Sequence, residues 1–237
     1  MKFLADKYSL NENDLIAALD NLNKGDVYFY AMSGKMGAGK DTIGDLIFDK
    51  LKSEGKEIIS VSYSTPIKQE IQEIMNLSAT RNPLLIADKY NAKVDEIVRL
   101  TQLLGKELIY ERSAQSRRAI QYWGTDVRRK QDSNYWVRKL AQIIVKSLKA
   151  NISVYVSDVR FPNEADSIID LKGKIIRLKT SESVRIKRIV ERDNLKPTEE
   201  HLKHLSEIAL DRYEFEKIFN GEDTPENLLN EILQYIK

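Results

Sequence analysis

Short apolar runs and longer amphipathic segments alternate along most of the chain. Apolar or β-branched runs at 27–32, 57–63, 152–157 and 174–179 predict buried strands, and 215–220 predicts a last short one. Helical spacing predicts helices over 11–22, 40–53, from 65 onward, 76–112 with a break near Asn82-Pro83, 134–149, 162–172, 183–193, 199–212 and 225–236. Strands that alternate with helices predict a three-layer α/β fold. Its parallel central sheet would carry helices on both faces and bind ligands at the carboxyl ends of the strands.

A glycine-rich loop follows the first predicted strand and precedes a predicted helix. Residues 34–40 fit the pattern G-x-x-x-x-G-K. Such glycines let backbone N–H groups turn inward around phosphate oxygens, and the positive end of the helix points at the same place. A glycine turn that binds nothing is the alternative, and the order of strand, full motif and helix counts against it. We expect phosphates to bind at Gly34, Lys35, Gly37, Ala38, Gly39, Lys40, Asp41 and Thr42.

Three residues near this loop are candidate ligands of Mg²⁺. The motif usually ends in Ser or Thr, whose hydroxyl binds the ion, but here Asp41 holds that position and Thr42 follows it. Asp158 follows the strand at 152–157, where phosphate-loop enzymes place a carboxylate that orients Mg²⁺ or its waters. Capping of the next helix is the alternative for Asp158, and capping of the helix that follows the loop is the alternative for Asp41. Arg160 is a candidate for a phosphate contact, with pairing to Glu164 as the alternative.

Composition narrows the class of protein. The chain has 237 residues, enough for a sizeable core, and it has no cysteine, which excludes disulfides, Cys-type zinc sites and a cysteine nucleophile. No run approaches the ~18–20 apolar residues of a membrane span. The first 24 residues lack the basic start and apolar block of a signal peptide. We therefore expect no membrane partner and a cytoplasmic location.

The formal net charge of +2 is the sum of opposed regions. Residues 112–139 hold eight basic side chains against two acidic ones, and residues 172–196 hold nine against three. Residues 205–237 hold three basic side chains against eight acidic ones. The chain as a whole is therefore not a basic surface for nucleic acid, whereas its two basic regions suit small, highly charged anions.

Four further motifs accompany the loop. In chain order they are Gly124-Thr125-Asp126, Tyr135-Trp136-Val137, Asp158-Val159-Arg160 and His204-Leu205-Ser206-Glu207. With the loop ending Gly39-Lys40-Asp41-Thr42, they make the chain from about residue 27 onward resemble the bacteriophage-type deoxynucleoside monophosphate kinases. These belong to the P-loop nucleoside monophosphate kinase superfamily. The first 24 residues lie outside the resemblance, and 76–112 matches none of its motifs.

This resemblance implies transfer of the γ-phosphoryl group of ATP to a deoxynucleoside 5′-monophosphate, with Mg²⁺ bound. The residues it implies in the transfer are Lys40, Asp158, Arg188 and Arg192. The residues it implies in acceptor binding are Gln121, Trp123, Asp126, Arg128 and Arg160. Lys68 is a further acceptor candidate because it follows the second predicted strand. Arg128 and Arg160 would grip the acceptor phosphate, and Trp123 would stack on the base. Core packing is the alternative for Trp123, and a surface position is the alternative for Lys68 and Gln121.

The resemblance also implies a basic lid that closes over the phosphates. Arg185, Arg188 and Arg192 are spaced i, i+3 and i+7 and share one helix face, with Arg185 expected at the ATP phosphates. A solvated basic face is the alternative. The domain prediction is a helical extension at 1–24 and a kinase domain at 25–237. The kinase domain would contain an acceptor-binding helical insertion at about 64–135 and the lid at about 181–203. A homodimer contact through the N-terminal helix and 76–112 stays open.

Two other functions stay open at this point. A P-loop kinase of another small phosphorylated acceptor, such as phosphomevalonate or dephospho-coenzyme A, would carry a similar loop and lid. A nucleotide-gated nucleic-acid-binding ATPase is the second, although the chain lacks the near-continuous basic stripe that such binding favours.

Overall fold

The structure is a computed structural model that describes residues 1–111, 113–194, 202 and 205–236. It divides into two compact units. The first is Met1–Ser62 with Ala141–Lys237, and the second is Tyr63–Leu140. The second unit contains the segment predicted as a helical insertion at 64–135.

The described elements are five strands, twelve α-helices and one π-helix. The strands are β1 (Phe29–Ser33), β2 (Ile58–Val61), β3 (Ser153–Val159), β4 (Lys174–Lys179) and β5 (Ile218–Asn220). The α-helices are α1 (Lys2–Tyr8), α2 (Glu12–Asn23), α3 (Lys40–Ser53), α4 (Ser64–Ser78), α5 (Pro83–Tyr90), α6 (Val94–Leu104), α7 (Ala114–Gln121), α8 (Tyr135–Lys149), α9 (Pro162–Asp170), α10 (Glu182–Asp193), α11 (Leu205–Ile208) and α12 (Pro225–Ile236). The π-helix is Tyr122–Arg129.

All five strands of the first unit form one parallel sheet with the order β2-β3-β1-β4-β5. Every residue of β1, the middle strand, is buried. Strands covered on both faces have no polar side to alternate with, which explains why they read as continuous apolar runs in the sequence. The glycine-rich loop leaves the carboxyl end of β1 and runs into α3.

Helices cover both faces of this sheet. Tyr30 and Met32 of β1 share a core with Ile47 of α3 and Ile232 of α12. Phe29, which directly precedes Tyr30, points to the other face of the sheet, where α9 packs. A Cβ at Gly173 would come within 2.6 Å of the Phe29 ring and 2.7 Å of Ile168 in α9. The sheet and its two helical layers confirm the predicted three-layer α/β fold.

The two N-terminal helices pack against the first unit. The Tyr8 hydroxyl and the Lys7 amine both donate to Asp170 Oδ2 in α9, at 2.5 and 2.7 Å. Asn21 Nδ2 donates to the carbonyl of Leu148 at 2.9 Å. The predicted helix at 11–22 corresponds to α2, whereas α1 was not predicted because its seven residues carry too few periodic positions.

The second unit is helical and has its own core. Its largest buried side chains include two tryptophans and several isoleucines and leucines, namely Ile71, Ile74, Ile86, Leu100, Leu104, Trp123 and Trp136. The predicted break near Asn82-Pro83 lies where α4 ends and α5 begins, and Asn82 caps α5 by accepting from the Leu84 N–H at 2.9 Å. The π-helix was not predicted.

Two elements predicted in the C-terminal third, a helix and a strand, have different bounds in the described structure. Of the helix predicted at 199–212, the structure shows α11, while 195–201 and 203–204 lie outside the described residues. The last strand is three residues long, shorter than the predicted 215–220. Each helix among the described residues is too short or too polar to span a bilayer.

Candidate phosphate-binding site

The loop at 34–40 has the backbone that its glycines allow. Gly37 and Gly39 adopt φ angles of +77° and +96°, in the left-handed region that favours glycine. A Cβ on Gly37 would lie 2.6 Å from the backbone oxygen of Arg185, so α10 packs directly on the loop there. The Ile43 N–H donates to the carbonyl of Gly39 at 3.0 Å, which begins α3 at the end of the loop. The positive end of α3 therefore points into the loop, as expected for an anion site.

Lys40 is a nearly buried cation with a long ion pair. Its residue is 8% exposed, and its amine donates to the carbonyl of Lys35 at 3.4 Å. The distance from Lys40 Nζ to Asp158 Oδ1 is 4.0 Å. Burial lowers the pKa of the Lys40 amine, and the Asp158 carboxylate opposes that shift. The effect of burial exceeds that of the neighbouring carboxylates, and an incoming anion would offset the difference.

Asp158 presents one carboxylate oxygen that nothing in the described structure hydrogen-bonds. Its Oδ2 accepts from Arg160 Nε at 2.5 Å, whereas its Oδ1 is buried without a hydrogen-bond partner. Burial alone would lower the pKa of the Arg160 guanidinium, but the Asp158 and Glu207 carboxylates raise it. A buried, unused carboxylate oxygen beside a phosphate loop is suited to a Mg²⁺ ion or one of its waters.

The predicted metal ligands, Asp41, Thr42 and Asp158, fit Mg²⁺ only if phosphates and waters supply the remaining ligands of the ion. Asp41 and Thr42 are exposed in the first turn of α3. The described residues contain no cluster of three His, Asp or Glu side chains that could enclose a metal. Mg²⁺ commonly uses one or two carboxylates and takes its remaining ligands from phosphates and waters, so these residues fit the ion in that form.

Two of the three predicted lid arginines contact the loop backbone. Arg185 Nη1 donates to the carbonyl of Met36 at 3.1 Å, and its residue is 6% exposed. Arg188 Nη1 donates to the carbonyl of Gly221 at 2.9 Å and to that of Ala38 at 3.4 Å. Their shared helix face is therefore confirmed, but both guanidinium groups hold carbonyl groups of the loop region. Arg192 is exposed near the end of α10.

Three residues without a predicted role also join the site. Glu207 accepts from the Met36 N–H at 2.6 Å and from Arg160 Nη1 at 3.0 Å. Asp211 accepts from Lys35 Nζ at 2.8 Å. Arg177 Nη1 donates to Ser33 Oγ at 3.0 Å, beside the loop. The H-x-S-E motif pointed to Glu207 without giving it a task, and no pattern in the sequence singled out Arg177.

The acceptor roles expected for Trp123 and Arg128 are corrected by their burial. Trp123 is fully buried in the second unit, and its indole N–H donates to Glu70 Oε1 at 3.0 Å. Arg128 is 3% exposed, and its Nε donates to the same oxygen at 2.8 Å. The Tyr135 hydroxyl donates to Glu70 Oε2 at 2.6 Å. Neither a base nor a phosphate can reach side chains that are enclosed in this way, so both belong to the core.

The other predicted acceptor residues divide between the two units. Gln121 and Asp126 are exposed in the second unit, and Lys68 is partly exposed there. Arg160 lies in the first unit beside the loop, through its contacts with Asp158 and Glu207. The structure therefore brings together the loop, Asp158, Arg160, Arg185 and Arg188 within one unit.

Comparisons with known proteins add little to this geometry. No protein-family model and no curated protein matches the chain. Among solved structures, the crystal structure of TT1252 from Thermus thermophilus is similar, with a TM-score of 0.44 and 15% sequence identity. The match covers 89% of this chain and 98% of that one. At this level of similarity it supports no conclusion about function, and the fold rests on the sheet and its helical layers.

Proposed function

We propose that the chain transfers the γ-phosphoryl group of ATP to the 5′-phosphate of a deoxynucleoside monophosphate. One observation carries the proposal. The amine of Lys40 and the unused Oδ1 of Asp158 lie 4.0 Å apart beside a loop whose backbone suits phosphate oxygens. A poorly compensated cation and an open carboxylate oxygen are the two groups that a phosphate–Mg²⁺ pair would use.

Each residue of the site then has a separate task. The loop N–H groups and Lys40 would bind the donor phosphates and stabilise the charge that develops on the transferred group. Arg185 and Arg188 would keep the loop in its binding shape through the carbonyls of Met36 and Ala38. Asp158, with Asp41 or Thr42, would hold Mg²⁺, which when bound neutralises charge on the donor phosphates. No general base is needed, because the acceptor phosphate is already an anion.

The acceptor assignment rests on fewer groups than the donor assignment. The side chain of Arg160 is 38% exposed, whereas those of Arg177 and Arg185 at the same site are 13% and 7% exposed. A planar guanidinium binds phosphate in a bidentate manner, so we assign Arg160 to the acceptor phosphate. The choice of a deoxynucleotide as the acceptor rests on the resemblance of the motifs.

A coupled assay of ADP release with a panel of acceptors tests the proposal. We expect saturable activity on at least one of dGMP, dTMP, dAMP and dCMP. Activity on phosphomevalonate or dephospho-coenzyme A, with none on the four nucleotides, would assign the chain to the other kinase class. ATP hydrolysis that depends on added DNA, with no transfer, would assign it to the nucleic-acid-binding class.

The assay has a matched pair of variants. Lys40→Met should abolish transfer, because it removes the cation and keeps most of the buried side-chain stem. Lys187→Met makes the same change at an α10 side chain that is 75% exposed, so its activity should remain that of the wild type.

A further inference from the structure

A carboxylate from another part of the chain lies on the phosphate loop. Glu207 of α11 is 7% exposed, and each of its two oxygens has a donor. Oε2 accepts from the Met36 N–H at 2.6 Å, and Oε1 accepts from Arg160 Nη1 at 3.0 Å. Met36 lies within the loop, and Arg160 also holds Asp158. A single negative group therefore connects the loop to the arginine that we assign to the acceptor phosphate.

These two donors are of the kinds that bind phosphate in proteins. Backbone N–H groups of a glycine-rich loop and an arginine guanidinium both favour oxyanions, and the bonds they form with charged acceptors are short and strong. The 2.6 Å bond from Met36 has that character. The carboxylate of Glu207 thus satisfies donors that would otherwise be open to a phosphoryl group.

A second carboxylate joins the same segment to the neighbouring loop residue. Asp211, four residues after Glu207, accepts from Lys35 Nζ at 2.8 Å and lies 3.9 Å from Arg177. Lys35 and Met36 are adjacent in the loop. Residues 205–213 are therefore held to the loop by two anionic contacts, which an anion bound at the loop would weaken by repulsion and by competition for the donors.

We propose that Glu207 is an internal substitute for a phosphate group. Its carboxylate occupies the loop donor and Arg160 in the absence of nucleotide, and nucleotide phosphates displace it, which releases 205–213 from the loop. The proposal rests on the proposed function only in requiring that the loop binds phosphate. Binding of the phosphates and release of residues 205–213 are therefore coupled. A ligand shifts such an equilibrium by its difference in affinity for the two states.

Binding of inorganic tripolyphosphate, measured by calorimetry without Mg²⁺, tests the exchange separately from any transfer. Glu207→Gln keeps the size of the side chain and removes its charge. The variant should bind tripolyphosphate about tenfold more tightly than the wild type, equivalent to about 1.4 kcal/mol. Glu191→Gln, at a 63% exposed position of α10, makes the same charge change and should leave the affinity unchanged.

The other possible results of the tripolyphosphate titration also support or contradict the proposal. Unchanged or weaker binding by Glu207→Gln would overturn the proposal, since a carboxylate that only positions Arg160 would help phosphate to bind. Binding by the variant alone would support it in its strongest form. No binding by either protein would overturn both this proposal and the phosphate-binding role of the loop. Transfer that fails while tripolyphosphate still binds more tightly to the variant would remove the proposed function and leave the exchange in place.

Hydrogen exchange of the wild-type protein supplies a measurement that needs no variant. Backbone amides in 205–213 should exchange faster when tripolyphosphate is bound, because their segment is released. Slower or unchanged exchange in that segment, at saturating tripolyphosphate, would contradict the proposal.

Discussion

The two units each bury a cation beside a carboxylate, and they treat it in opposite ways. In the second unit, Glu70 receives hydrogen bonds from Trp123, Arg128 and Tyr135, which we call the Glu70 cluster. The Arg128 guanidinium also lies 4.8 Å from the Trp123 ring centre and 4.7 Å from that of Tyr135. In the first unit, Lys40 reaches Asp158 at 4.0 Å, and Asp158 Oδ1 has no hydrogen-bond partner among the described residues.

The difference lies in how well the neighbouring groups compensate each buried charge. A buried ion pair adds to stability only when good geometry and further hydrogen bonds offset its desolvation, and the Glu70 cluster meets both conditions. The Lys40 site meets neither, because its ion pair is 4.0 Å long and Asp158 Oδ1 has no hydrogen-bond partner among the described residues, so a bound anion would offset more of the desolvation of Lys40. Burial and charge are therefore shared by both sites, and the number of satisfied polar atoms distinguishes them.

Breaking the Glu70 cluster should produce the largest loss of stability. Arg128→Met leaves the Glu70 carboxylate buried without its cation, so we expect unfolding to become easier by about 3–5 kcal/mol. Urea unfolding followed by circular dichroism measures this. Lys130→Met removes an exposed partner 3.9 Å from Asp126 and should change stability by less than about 1 kcal/mol. Equal effects of the two substitutions would show that Arg128 is not part of the core.

Removing the charge of Asp158 should mainly lower activity. Asp158→Asn keeps the shape of the side chain but takes away the carboxylate next to Lys40 and Arg160, so we expect the rate of transfer to fall about 10²-fold. Steady-state kcat at saturating ATP and Mg²⁺ measures it. Asp170→Asn is the matched control, because both side chains are 30% exposed and Asp170 pairs with Lys7. A similar loss of kcat in both variants would argue against a specific role for Asp158.

The smallest expected effect concerns another buried polar atom of the first unit that has no hydrogen-bond partner in the described structure. The hydroxyl of Tyr155 is buried without a hydrogen-bond partner in the described structure, and its ring stacks on Tyr30 at 5.0 Å. Burial raises the pKa of this hydroxyl. Gly44 leaves room for it, since a Cβ there would lie 1.8 Å from the oxygen. Tyr155→Phe should therefore stabilise the fold by about 1 kcal/mol in urea unfolding.

The kcat of Tyr155→Phe shows whether the Tyr155 hydroxyl takes part in transfer. Unchanged kcat would mark the Tyr155 hydroxyl as an unsatisfied polar atom without a task, in contrast to Asp158 Oδ1. A loss of stability, or a fall in kcat, would show instead that the hydroxyl has a partner or a function.

The sheet and most helices could be predicted because their patterns are local. The predicted strand at 174–179 and the predicted helices at 40–53 and 225–236 match β4, α3 and α12 in their bounds. The π-helix could not be predicted in this way, because a pattern read at 3.6 residues per turn does not reveal a wider turn. Trp123 and Arg128, five residues apart, both reach Glu70 from this π-helix.

The site was predictable where its chemistry lies in one motif and unpredictable where it depends on distant partners. The loop and Asp158 follow directly from the sequence. The burial of Arg128 depends on Glu70, 58 residues earlier, and the contact of Glu207 with Met36 spans 171 residues. A sequence motif identifies which residue types are available at a site. Only tertiary packing determines whether an arginine binds a ligand or a neighbouring carboxylate.

The affinity of folded Lys40→Met and Arg128→Met for ATP tests the contrast between the two sites most directly. Calorimetry at a temperature where circular dichroism shows both variants to be folded would give the dissociation constants. If the Lys40 site binds phosphate and the Glu70 cluster is structural, Lys40→Met should lose at least about tenfold in affinity, equivalent to about 1.4 kcal/mol, and Arg128→Met should bind as the wild type does. A folded Arg128→Met that loses as much affinity as Lys40→Met, or a Lys40→Met that loses none, would contradict this assignment.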